Sequence, residues 1–93
     1  MLVVPKTEVD KFFDLPDYYL SDMLLFAKPI AHASEKVFRC NRCGISVVGL
    51  EVPHAHIHLV PINSSNDLNF IQHKPQASAE SLKKVQEKIL TQL

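Results

Sequence analysis

The sequence has no excess of charge of either sign: ten Lys and Arg stand against ten Asp and Glu, a formal net charge of zero. So balanced a chain has no field that draws it nonspecifically to DNA or to an anionic membrane, although a local site can still hold a phosphate. Cysteine is scarce, two in 93 residues, which excludes a disulfide-stapled scaffold. Long apolar runs are absent, and the longest stretches fall far short of the roughly 20 residues that cross a bilayer. The start, Met1-Leu2-Val3-Val4-Pro5-Lys6, has neither the charged lead nor the apolar stretch of a secretory signal. These absences point to a soluble, cytoplasmic protein with no nucleic-acid and no membrane partner.

What is present is an ordinary globular composition, 46% hydrophobic and 22% charged, with enough chain for one domain. Leu2 to Pro5 is a short β-rich run stopped by proline, so it reads as a strand. Asp14 and Pro16 have the chemistry of a helix start, a capping carboxylate and a proline in the first turn. Leu20, Met23, Leu24, Ala27, Ala31 and Val37 then recur at three- and four-residue spacing, which predicts one apolar stripe on a helix to about Phe38, bent or loosened at Pro29. Gly44 to Gly49 reads as a strand, and His54 to Pro61 as another. Asn63 to Asp67 is turn-rich, and the stretch to Gln76 has no clear period. Ser78 to Leu93 reads as a capped helix with Val85, Ile89 and Leu93 on its apolar face. The pattern predicts an α+β domain: a small, mostly antiparallel sheet packed by one long helix, with a C-terminal helix.

Three of the five histidines fall at positions 54, 56 and 58. Alternate residues of a strand share a face, so His54, His56 and His58 are expected in a row, with Ala55, Ile57 and Leu59 buried on the other side. Two chemistries use such a row. Neutral imidazole is a good zinc ligand. It is also a nucleophile that attacks phosphorus at neutral pH, the adjacent imidazoles then holding the phosphate oxygens. Cys40 and Cys43 form a C-x-x-C pair, which suits a redox couple, half a metal site, or simply two small residues at a strand's start. His32 and His73 read as ordinary surface residues.

The run His54-Ala55-His56-Ile57-His58-Leu59-Val60 resembles the histidine triad motif, His-φ-His-φ-His-φ-φ with φ apolar. Leu2-Val3-Val4-Pro5-Lys6 resembles the family's strand ending in Pro-Lys, and a long helix, a glycine-flanked strand and the triad strand follow in the family's order. The resemblance covers residues 1 to about 63. It implies hydrolysis or nucleotidyl transfer at the α-phosphate of purine nucleotide conjugates, without a cofactor. It implies that His56 is the nucleophile, its Nδ1–H held by the carbonyl of His54. His58 is implied to stabilise the five-coordinate transition state, and His54 to be mainly structural. It further implies a homodimer or a domain-swapped higher form.

Two departures from the family stand out. Members carry a helix and two strands before the Pro-Lys strand, so residues 1–93 are expected to form a partial histidine triad domain, truncated at its N-terminus. The segment before the triad is Val48-Gly49-Leu50-Glu51-Val52-Pro53-His54, where better-known branches have Ala-Gly-Gln-x-Val-x-His. Gly49 matches, Leu50 replaces a glutamine, and Glu51 stands where a serine often helps the leaving group, to act there as an acid or to repel phosphate. Gly49, Leu50 and Glu51 are the candidate substrate-binding residues beside His54, His56 and His58. An asparagine expected earlier has Cys43 near its place, with Asn41 two residues before. The alternatives are a catalytically impaired nucleotide-binding fragment, and a metal-binding protein using His54, His58, Cys40 and Cys43.

Overall fold

A computed structural model describes residues 1–68 and 78–93 of the chain. Strand β1 is Leu2–Val3, helix α1 is Asp17–Phe38, β2 is Arg42–Ser46, β3 is Ile57–Ile62 and α2 is Ala79–Gln92, with 3-10 turns at Phe12–Asp14 and Ser65–Leu68. The sheet has the order β1-β3-β2 and both pairings are antiparallel. The α+β architecture expected from the sequence is the one observed.

The central strand contains a proline, which has no N–H to give to a ladder. Register explains why it is tolerated. The Leu59 N–H donates to the Met1 carbonyl on the β1 side, and two residues on Pro61 directs its nitrogen to that same side. The β1 pairing covers Leu2 with His58 and Val3 with Ile57, so that side is not the one on which Pro61 meets β2. Pro61 is paired with Cys43 of β2, and its nitrogen faces away from that strand, so the β2–β3 ladder loses no donor.

One face of the sheet carries the core. Val3, Ala55, Ile57 and Leu59 are buried with Leu15, Met23 and Ala27, and Tyr19, Leu20 and Ile30 pack against them. These are the alternate positions of β3, covered by one face of α1. Within the expected helix stripe, Leu24 is a correction: it is exposed, and its place on the inner face is taken by Tyr19 and Ile30. On α2, Ile89 is buried and Val85 half-buried, but Leu93 lies past the last turn and is exposed.

The ends of α1 also differ from expectation. Pro16 is the N-cap and not a first-turn residue, and Asp14 closes a 3-10 turn and caps nothing in α1. The helix runs unbroken through Pro29. The missing N–H leaves the carbonyl four residues back, on exposed Leu25, to water. Arg39 ends α1 in the left-handed region, φ 48° and ψ 46°, where a glycine is the usual occupant. The α2 start is as expected: the Ser78 hydroxyl accepts from the Ser81 N–H at 3.1 Å.

The strands differ from expectation in extent. β1 stops at Val3, β2 runs from Arg42 to Ser46 where Gly44 to Gly49 was expected, and β3 begins at Ile57, not at His54. Pairing decides these limits, because the β2–β3 ladder ends where Ser46 meets His58. Residues 47–56 form the connection. His73 and the aperiodic stretch to Gln76 fall mostly or wholly within residues 69–77, outside the described residues.

Candidate functional site

His56 and His58 are brought together on the face of the sheet opposite α1. The ring centroids are 4.7 Å apart at an interplanar angle of 72°, and Nε2 of one lies 3.1 Å from Nε2 of the other. His56 is nearly buried, 9% exposed. Its Nδ1 lies 2.7 Å from the carbonyl oxygen of His54. That carbonyl can only accept, so Nδ1 carries the hydrogen and donates it. In the uncharged ring Nε2 is then a bare lone pair, and the proton between the two rings belongs to His58, whose Nε2–H donates to it. The fold thus sets the tautomers of both imidazoles.

His54 does not join the pair. Its Nε2–H donates to the Pro5 carbonyl at 3.0 Å. The next residue, Ala55, donates its N–H to Val9 at 2.7 Å. Of the three imidazoles expected in a row, His56 and His58 contact each other, while the His54 ring is held by Pro5. The Ala55 bond ties this part of the triad segment to the chain after β1. The His54 side chain ties the start of the triad segment to Pro5, while its carbonyl holds His56.

Burial, the adjacent His56 ring and the N-terminal ammonium together lower the pKa of His58 below its ordinary 6.5. Each disfavours a second positive charge there.

Gly49, Leu50 and Glu51 lie on the 47–56 connection and all three are exposed. Gly49 has φ +73°, the left-handed conformation that favours glycine. Leu50 is 89% exposed. The cysteines take no part in the histidine site. Cys43 packs against the core, directly across from Pro61, on the face opposite His58. Its N–H donates to the Glu35 carboxylate at 3.2 Å, and burial, with Glu35 and Cys40 nearby, raises its thiol pKa above 9.0. Among the described residues no three His, Cys, Asp or Glu side chains are grouped to hold a metal ion. The alternative in which His54, His58, Cys40 and Cys43 share a metal is corrected on that ground: the sheet separates them.

Sequence reasoning missed Ser46. It is the cross-strand partner of His58, so it shares the histidine face, a relation that only strand register reveals. Asn41, considered earlier near the site, bonds instead to Asn63, through its N–H at 2.8 Å and its side-chain amide at 3.3 Å. It thereby closes the far end of the β2–β3 pair. A cleft between β1 and α1, lined by Val3, Pro5, Tyr18, Tyr19, Met23 and Phe26 among others, contains none of the histidines.

Comparison with known proteins places this geometry. The HIT domain profile matches residues 1–65. The asymmetrical bis(5'-nucleosyl)-tetraphosphatase of Schizosaccharomyces pombe is 31% identical over 77 residues, which span 73% of this chain and 42% of that protein. The adenosine 5'-monophosphoramidase of Saccharomyces cerevisiae is 33% identical over 61 residues, 64% of this chain and 39% of that protein. The matched regions thus span about two fifths of these curated relatives. A histidine triad protein of Sinorhizobium meliloti has the same fold, with a TM-score of 0.78 at 17% identity, covering 99% of this chain and 73% of that one. One from Bradyrhizobium japonicum gives 0.75 at 19% identity, covering 98% and 70%.

Proposed function

The chain belongs to the HIT domain family, and from that premise we propose that it is a hydrolase or nucleotidyl transferase acting at the α-phosphate of purine nucleotide conjugates through His56. The observation that carries this reading is the His56 ring itself, fixed through Nδ1–H to the His54 carbonyl with its Nε2 lone pair beside His58. The two curated relatives, by name a nucleosyl-tetraphosphatase and an adenosine monophosphoramidase, support the substrate class.

The reaction is a double displacement. A substrate phosphate displaces the His58 Nε2–H from the nucleophile and accepts that hydrogen bond itself. The Nε2 pair of His56 attacks phosphorus, a P–N bond forms, and the bond to the leaving group breaks, its electrons leaving with that group, which takes a proton from solvent. As His56 becomes positively charged, its Nδ1–H bond to His54 shortens and spreads the charge. Water then attacks phosphorus, the P–N electrons return to His56, and the water's proton passes to solvent.

A homodimer belongs to the same proposal. Tyr18, Leu25 and Phe26 of α1 are exposed apolar side chains, the kind of surface a partner covers.

The test is hydrolysis of an adenosine phosphoramidate with a fluorescent amine leaving group. Turnover should be abolished in His56→Ala while nucleotide binding persists. Binding with equal, negligible release in both proteins would instead favour a catalytically impaired nucleotide-binding module.

A further inference from the structure

We propose that Ser46 supplies a hydrogen-bond donor to a non-bridging oxygen of the phosphate as charge builds on it, working beside His58. This rests on the nucleophilic reading of His56. Residues opposite one another in an antiparallel pair share a face, with Cβ atoms about 4.5–5.5 Å apart. Ser46 faces His58 in this way on one side of β3, and Leu2 faces it on the other. The same face continues as Gly44 and Val60, then Arg42 and Ile62 at the far end of the ladder. Among the described strand residues, Ser46 is therefore the only polar side chain other than histidine next to the pair.

Charge counting shows what is lacking without it. In a five-coordinate phosphorus two non-bridging oxygens carry negative charge. Once the Nε2 pair of His56 is committed to phosphorus, that ring offers them no donor, because its remaining N–H is held by the His54 carbonyl. His58 offers one, its Nε2–H. The second oxygen needs another donor, and the half-buried Ser46 hydroxyl, at the last rung of β2, stands at the mouth of the 47–56 connection. Apolar neighbours on both sides of the pair make a fixed donor count for more than it would in water.

The experiment compares wild type, Ser46→Ala, Ser46→Thr and His56→Ala in two assays. These are steady-state hydrolysis of the adenosine phosphoramidate and binding of orthovanadate, which adopts the five-coordinate geometry. Thermal melting checks the fold of each. Removing one such donor costs about 100-fold in kcat by precedent, so Ser46→Ala should lose about 10- to 100-fold in kcat with KM nearly unchanged, and bind vanadate about 10-fold more weakly. Ser46→Thr, which keeps the hydroxyl, should recover most of both. Equal kcat and vanadate affinity in wild type and Ser46→Ala, with His56→Ala inactive, overturns the role of Ser46 and leaves the nucleophile standing. Equal losses in the alanine and threonine variants also overturn it. If wild type does not turn over, the catalytic reading fails, and the vanadate arm still decides whether Ser46 contributes a donor. A wild type that neither turns over nor binds vanadate overturns both.

Discussion

Ile57 sits between the two paired histidines and is 0% exposed, so replacing it by alanine tests how the site is held. The substitution removes Cγ1, Cγ2 and Cδ1, and at about 0.8 kcal/mol per carbon the transfer term alone is about 2.4 kcal/mol. Val3, Met23, Ala27 and Leu59 surround the position within one cluster and cannot all collapse into the space. The residual cavity raises the expected cost to about 3–4 kcal/mol. A domain of this length has roughly 0.1 kcal/mol of stability per residue, about 9 kcal/mol in total, so the variant still folds. With a urea slope of about 1 kcal/mol per molar, the unfolding midpoint should fall by about 3 M. Leu50→Ala is the matched control: it is also an apolar residue close to the triad in sequence, but at 89% exposure its loss should stay within about 0.5 kcal/mol. Urea denaturation followed by circular dichroism reads both. A loss below about 1 kcal/mol for Ile57→Ala, or an equal loss for Leu50→Ala, would refute the assignment of the core to the face opposite the histidines.

His58 should titrate below 6.5 when followed by NMR of its ring, and move back toward 6.5 in His56→Ala as one of its causes is removed. Between the native and unfolded pKa values the unfolded chain binds a proton that the native ring refuses. Stability should therefore fall as pH drops from 6.5 through the native value, which pH-dependent melting checks. Gly49→Ala should cost about 1 kcal/mol, because φ is +73° there although the space is open. Gly49→Asn should cost less, and denaturant midpoints of the two decide it. Ser78→Ala should lose about 1 kcal/mol through its cap to Ser81, with amide exchange rising in the first turn of α2.

Much of this protein is legible in its residues taken in order. The alternation His54-Ala55-His56-Ile57-His58-Leu59 separates a buried face from a polar one by strand geometry alone, and Ala55, Ile57 and Leu59 are buried. Three- and four-residue spacing marks α1 and α2, because helical period is a local property. The Ser78 cap is local too. What lay beyond the sequence depends on partners distant in the chain. Strand ends follow pairing, so β3 begins at Ile57 and β2 at Arg42. The hold on the His54 ring is a carbonyl 49 residues away, and no neighbouring residue announces it. Arg39 holds a left-handed cap without glycine, so the usual residue signal for that turn is missing. The pairing of Ser46 with His58 is set by register. Sequence by itself determined the alternation that buries Ala55, Ile57 and Leu59 and sets the candidate histidines between them. Tertiary structure alone decided which groups meet across the chain, His54 with Pro5 and Ser46 with His58, because pairing between remote segments is not a local property.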